Sequence, residues 1–212
     1  MGRHRAVRDD VCNMLRERIV NLYHKPGDPL NEKRLSEELK VSRTPIREAL
    51  IRLSDEKLVT LVPHVGARVS DVNLRDFQKL IELREILERG VARLAAMNIT
   101  EEQIRDLERL SEMANHINRE DISELINYDM QFHQIINQAS HNHFLHESIS
   151  VTQNQFFRIQ RLISHEPERM LADLPKVIRA LKRRDAGQME QFMVEHVEHF
   201  ARAVGRYFSS GR

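Results

Sequence analysis

The chain has 212 residues, 41% hydrophobic and 31% charged, with a formal net charge of +1, a balance that supports packed domains and excludes a disordered or fibrous polymer. Its single cysteine, Cys12, excludes an internal disulfide and a cysteine-rich zinc motif and points to a reducing compartment. The basic start lacks the apolar stretch of a signal peptide and no apolar run reaches bilayer length, so a soluble, cytoplasmic protein with no membrane partner is expected.

Residues 1–5 read as a loose basic tail in which Arg3 and Arg5 are available to phosphate. From Val7 to Tyr23, the residues Val11, Met14, Leu15, Ile19 and Leu22 recur at helical spacing. Lys25-Pro26-Gly27 stops that helix, and Pro29 keeps the connection extended. Asn31 caps a second helix ending near Leu39, with Leu35 and Leu39 inward and Lys33 and Arg34 outward. After the tight turn at Lys40-Val41, Ser42 opens a third helix with a capping hydroxyl. Pro45 sits in its first turn, where a fixed φ and a missing N–H cost little, and Ile46, Leu50 and Leu53 give the apolar period. The N–H groups and positive dipole at this helix start, joined by Arg43, Thr44 and Arg47, suit a phosphate backbone; a solvated helix end is the plainer alternative.

Two short helices joined by about three residues make a helix-turn-helix. Leu58–Leu61 and Ala67–Ser70 flank Pro63-His64-Val65-Gly66, which predicts a β-hairpin with glycine in the turn, the wing of a winged helix. His64 at the tip reaches either a minor groove or water. Residues 1–72 carry 14 Lys+Arg against 11 Asp+Glu, whereas 73–212 carry 19 against 21, so the first part is the one suited to a polyanion.

Lys25-Pro-Gly, Leu30 to Leu39, the run Val-Ser-Arg-Thr-Pro-Ile-Arg-Glu-Ala-Leu over 41–50, then Leu53, Leu58-Val59 and Gly66 resemble the DNA-binding domain of GntR-family bacterial regulators. The resemblance covers residues 7–70 and implies that Lys33, Ser42, Arg43, Thr44, Arg47 and the wing positions His64 and Gly66 contact double-stranded operator DNA.

Beyond the short junction Ser70–Asn73 the periodicity is helical throughout, with helices predicted over 74–97, 101–118, 122–140, 142–164, 169–184 and 186–208. Thr100 with Gln103, Asp121 with Glu124, and Asp185 with Gln188 fix three of the starts, while Asn98-Ile99 and Asp185-Ala186-Gly187 mark breaks. The fold class is therefore mainly α: a winged helix-turn-helix domain with a small β-hairpin over 1–72, then an all-α bundle of about six helices over 73–212.

Several ionisable residues fall on apolar stripes of that bundle. Arg84 lies among Phe77, Leu80, Ile81, Leu87, Val91 and Leu94. Asp129 and His133, at i and i+4, lie among Ile122, Leu125, Ile126, Phe132 and Ile136, and His196 among Met189, Phe192, Met193, Phe200 and Val204. Buried without partners each would be costly, so they should meet one another, a ligand or a metal. Asp129 and His133 alone place an oxygen and an imidazole where one divalent ion fits. A single inward histidine is more often a hydrogen-bonded core residue, but four such groups in one bundle favour a cavity with chemistry in it.

Leu83-Arg84-Glu85-Ile86-Leu87-Glu88, Asp129-Met-Gln-Phe-His133, Ala139 with Asn142, Ala180-Leu181 with Asp185, and His196 resemble the all-helical effector domain of the fatty-acid-regulator branch of the GntR family, the FCD domain. The resemblance implies effector binding by Arg84, Asp129, His133 and His196, and a zinc or nickel ion on Asp129, His133, His196 and one further histidine. The chain has Leu174 at that further place, followed by Pro175, which disfavours helical geometry there and predicts a helix start or kink. Either three protein ligands hold the metal or the metal is lost. His165, His199 and Asp173 are the available substitutes; His199 is expected to be exposed, and His141, His143 and His146 read as a polar loop.

No nucleophile motif, di-iron Glu-x-x-His pair or phosphate loop is present, so an enzyme is not expected. The expected protein is a dimeric, ligand-responsive transcriptional regulator, with repression the expected direction and a small organic acid paired to Arg84. The rival readings are a DNA-binding protein whose bundle only dimerises and, further off, a bundle metalloenzyme fused to a DNA-binding domain.

Overall fold

The computed structural model describes residues 2–163 and 168–209, except for the side chains of 2–6 and 168–172. The chain divides into two compact units, 1–72 and 73–212.

The first unit contains α1 (Gly2–Val20), β1 (Pro29–Leu30), α2 (Glu32–Leu39), α3 (Arg43–Asp55), β2 (Val59–Val62) and β3 (Gly66–Val69). Helix α1 differs from expectation at both ends. Of the residues read as a loose tail, 2–5 are helical, since no proline or capping residue interrupts them, and the helix stops before Tyr23 because Leu22 turns left-handed at φ 60°. Asn31 caps α2 by accepting from the Arg34 N–H, and Lys40 closes it at φ 53°. Val11, Leu15 and Ile19 of α1 are buried with Ile46, Ala49, Leu50 and Leu53 of α3, and Leu30, Leu35, Leu58 and Val69 complete this core. The wing gains a strand that the sequence did not announce. Pro29 and Leu30, read as an extended connection, pair antiparallel with β3 and make a three-stranded sheet of order β1-β3-β2.

The second unit contains α4 (Leu74–Asn98), α5 (Glu101–Met113), α6 (Ile122–Ala139), α7 (His143–Leu162), α8 (Glu168–Lys182) and α9 (Ala186–Ser209). Thr100 and Gln103 form a reciprocal capping box, and Asn73, Asp121 and Asn142 cap α4, α6 and α7. Helix α5 ends at Met113 rather than 118, because 114–116 close into a turn in which the Asn115 and His116 N–H groups reach back to Glu112 and Met113. Pro175 lies inside α8 and does not start it. Helix α4 packs most extensively on α9 and also lies against α6 and α7, so it threads the middle of the bundle. Among the described residues, no helix is long and apolar enough to cross a membrane.

Candidate nucleic-acid interface and buried polar centre

The start of α3 is exposed at Ser42, Arg43, Thr44 and Arg47, while Pro45, Ile46, Ala49, Leu50 and Leu53 face inward. Ser42 occupies the N-cap position with no side-chain capping bond, contrary to expectation. The residue three positions on, where such a hydroxyl usually finds its N–H, is Pro45, which has none to give. The hydroxyl is thereby left facing outward with the arginines. Arg47 is exposed but paired: its Nε and Nη2 donate to the two carboxylate oxygens of Glu32 at 3.0 and 2.9 Å. Those hydrogen bonds hold the Glu32 carboxyl below its ordinary range. The fork ties the start of α2 to the start of α3, and Lys33, next in α2 after Glu32, is exposed and 4.0 Å from Glu37. On the wing, His64 is exposed at φ 61° and Gly66 takes φ 121°, a conformation open to glycine and strained for other residues, with nothing within 4 Å of where a Cβ would stand.

The bundle brings together the ionisable residues that the stripes of three separate helices had singled out. Arg84, Glu88, Asp129 and His133 are all 0% exposed. The His133 Nε2 lies 3.3 Å from the His196 Nε2, and Asp129 Oδ1 lies 3.8 Å from the first and 3.6 Å from the second. One ligand atom from each of Asp129, His133 and His196 therefore falls within 4.8 Å of the others, a spacing that suits a single divalent ion. Around this trio, His133 Nδ1 is 3.6 Å from Glu88 Oε1, and the Gln160 amide donates to Asp129 Oδ2 at 3.3 Å. Contacts of this kind orient metal ligands from behind.

Arg84 gives Nη2 to Glu88, one turn along α4, and lays its guanidinium over the Phe156 ring, 4.3 Å from the centroid. Its Nε and Nη1, together with Glu88 Oε2, Asp129 Oδ1 and His133 Nδ1, have no hydrogen-bond partner among the described residues. Native interiors rarely leave so many polar atoms unmatched in one place unless something else meets them. Burial sets the protonation here. It raises Asp129 to about 7, against lowering by the Gln160 hydrogen bond and Arg84, and it raises Glu88 as well. Burial, Arg84 and His196 together hold His133 well below its usual range, so its imidazole is neutral at neutral pH. A neutral imidazole is the form that binds a metal.

Leu174 is 0% exposed within the apolar cluster that includes Val177, Ile178, Leu181, Met189 and Met193 and supplies no ligand atom. Asp173, one of the available substitutes, instead pairs with Lys176 at 2.7 Å. It lines a cleft of about 190 Å³ between α8 and α9, on whose wall Phe192 stands. Phe192 in turn stacks on His196, with ring planes 14° apart. His199 is half-buried rather than exposed and lies outside the trio, and His165 lies outside the described residues. His141 and His143 are exposed, His146 half-buried. Glu32, Gln160 and Phe156 were not foreseen as site residues. Glu88 alone carried a local signal, its i+4 spacing from Arg84.

A winged helix-turn-helix unit followed by an all-helical unit defines the class of DNA-binding transcriptional regulators. The chain belongs to the GntR family: residues 7–69 match the gntR family of bacterial regulatory proteins and residues 79–199 match the FCD domain. It is 30% identical over 203 residues to the HTH-type transcriptional repressor RspR of Escherichia coli K12, covering 93% of this chain and 89% of that one. It is 31% identical over 217 residues to the Uxu operon transcriptional regulator of the same organism, covering 90% and 83%. The solved structure of E. coli McbR/YncC shares the fold with a TM-score of 0.79 at 23% identity, over 97% of this chain and 99% of that one. The protein is accordingly a transcriptional regulator and not an enzyme.

Proposed function

We propose that this regulator is a homodimeric repressor in which residues 1–72 bind a palindromic operator through Lys33, Ser42, Arg43, Thr44, Arg47, His64 and Gly66, and residues 73–212 dimerise and sense a small organic acid. The observation that carries the sensing part is Arg84, wholly buried with Nε and Nη1 unmatched. Glu88 occupies only one edge of the guanidinium, and the remaining N–H groups form a fork that fits a carboxylate. A bundle that only dimerised would gain nothing from that burial. Asp129, His133 and His196 fit a zinc or nickel ion with three protein ligands, whose open positions would accept a carboxylate oxygen. With Leu174 in place of a fourth ligand, such an ion is held less tightly.

Dimerisation is supported by an exposed apolar stripe on α4. Leu83, Ile86 and Met97, at 46%, 69% and 59% exposure, recur at helical spacing on the side away from the core. A two-fold pair would set two α3 helices on half-sites about one DNA turn apart or more. Repression is supported by the relative named a repressor. The acid acts by binding one dimer state better than the other, so its effect on operator affinity is bounded by that difference. The test is a thermal-stability screen of organic acids, followed by gel shifts on the operator with each stabilising acid. The expected result is stabilisation and a change in operator affinity, both lost in Arg84→Met. An acid that stabilises the variant as strongly as wild type would remove Arg84 from the site.

A further inference from the structure

One turn beyond His133 on α6 stands Asn137, 2% exposed, with neither Oδ1 nor Nδ2 hydrogen-bonded among the described residues. Its neighbours along the helix are engaged at least in part: Asp129 and His133 converge on His196, and the Ser140 hydroxyl donates to the Asn137 carbonyl. Helix α4 runs alongside in the same direction, as Glu88 beside His133 and Asn98 Nδ2 at 3.1 Å from the Ser140 carbonyl show. The α4 residues that follow Glu88 toward Asn137 include Ala92, Ala95 and Ala96, all 0% exposed. Their methyl groups offer no polar partner. A buried, unpartnered carboxamide with one donor edge and one acceptor edge matches a hydroxyl, which also donates once and accepts.

We infer that Asn137, with Glu88 Oε2, forms a second polar subsite that binds a hydroxyl of the ligand, so that the acid sensed is a hydroxy acid. This rests on the acid-sensing reading above. Arg84 supplies affinity for the carboxylate common to all organic acids, and Asn137 supplies the choice among them, because a site built around a hydroxyl leaves its own polar groups unmatched when the hydroxyl is missing.

The test is calorimetric titration of the full-length protein with matched pairs, succinate and malate, propionate and lactate, hexanoate and gluconate, and with the neutral polyol xylitol. Wild type, Asn137→Leu, Asn137→Ala and Arg84→Met are compared, with circular dichroism to show that each is folded. In at least one pair the hydroxy acid is expected to bind wild type about tenfold tighter or more, and both Asn137 variants should reduce that ratio to about threefold or less while leaving the unhydroxylated acid unchanged. Arg84→Met should weaken both members alike. Acids that bind with no hydroxyl preference, or a preference that survives both Asn137 substitutions, would overturn the subsite and leave acid sensing intact, with Asn137 then satisfied by water. Xylitol binding that depends on Asn137, with no acid bound, would keep the subsite and overturn acid sensing. Binding of none of these compounds would overturn both.

Discussion

Replacing Glu88 by leucine tests whether the centre is held by charge pairing. In the native bundle the Glu88 carboxylate takes one edge of Arg84, and both side chains are 0% exposed. Glu88→Leu leaves a guanidinium that cannot shed its proton, with the Phe156 face and the charge of Asp129 as its remaining favourable neighbours. Removing one partner of such a pair costs about 3 to 5 kcal/mol, which lowers the midpoint of a domain this size by roughly 10 °C. The reverse substitution, Arg84→Met, should cost less, because burial already raises the Glu88 pKa and the acid can neutralise itself by holding a proton. A carboxyl whose folded pKa exceeds its unfolded value contributes stability that is complete below the unfolded pKa and is lost as pH rises through the folded one. Arg84→Met should therefore be mildest near pH 5 and lose stability toward pH 8. The double variant Arg84→Met/Glu88→Leu should return to within about 1 to 2 kcal/mol of wild type, since no charge is left stranded. Urea titrations of the four proteins, following the helical transition by circular dichroism at both pH values, give the cycle. A Glu88→Leu cost below about 1 kcal/mol, or a double variant as unstable as the sum of the singles, would refute the pairing as the reason this arginine is tolerated inside.

Arg43→Ala and Arg47→Ala should each weaken operator binding by about tenfold or more, with fold and dimer unchanged, and Arg47→Ala should also lower the slope of affinity against salt by about one; gel shifts at several salt concentrations that match wild type would remove α3 from the interface. Ile86→Glu places a charge on the exposed α4 stripe and should shift sedimentation at micromolar concentration from dimer to monomer, whereas an unchanged dimer would place the interface elsewhere. The purified protein should be metal-poor after dialysis, and Leu174→His should raise bound zinc or nickel toward one per chain by elemental analysis; no gain would show that the three remaining groups do not form a site. Because Asp129 is raised to about 7 and must lose its proton to bind a cation, metal affinity should climb about tenfold per pH unit below that value and level off above it, as titration with nickel from pH 5.5 to 8.5 will show.

Local patterns carried most of the architecture. Caps at Asn31, Thr100 and Asp121 placed the starts of α2, α5 and α6 to the residue, and the apolar period identified the remaining helices, because a cap and a stripe are properties of neighbours in the chain. The period nevertheless put the start of α1 at Val7 rather than Gly2. The same periodicity put Arg84, Asp129, His133 and His196 on inward faces, and the Ser-Arg-Thr-Pro run marked the exposed helix start. Where the sequence reading missed, the missing fact was long-range for the sheet and local for the helix ends. β1 exists only because β3 offers it a partner, and the Ser42 hydroxyl goes uncapped because Pro45, three residues on, has no N–H. Of the two expectations at Leu174-Pro175, a start or a kink, the start is excluded because α8 carries Pro175 within its length.

What the amino-acid order determined by itself, then, is which side chains face inward on each helix and which cations crowd the start of α3. What only the tertiary structure decided is their company. Arg47 is forked onto Glu32 from another helix, His133 meets His196 from 63 positions away, Gln160 reaches Asp129, and Phe156 lies under Arg84. Periodicity fixes the direction of a side chain about its own helix axis, but the distance between two helices depends on how all their side chains pack, and the chemistry of this centre resides in distances of 3 to 4 Å.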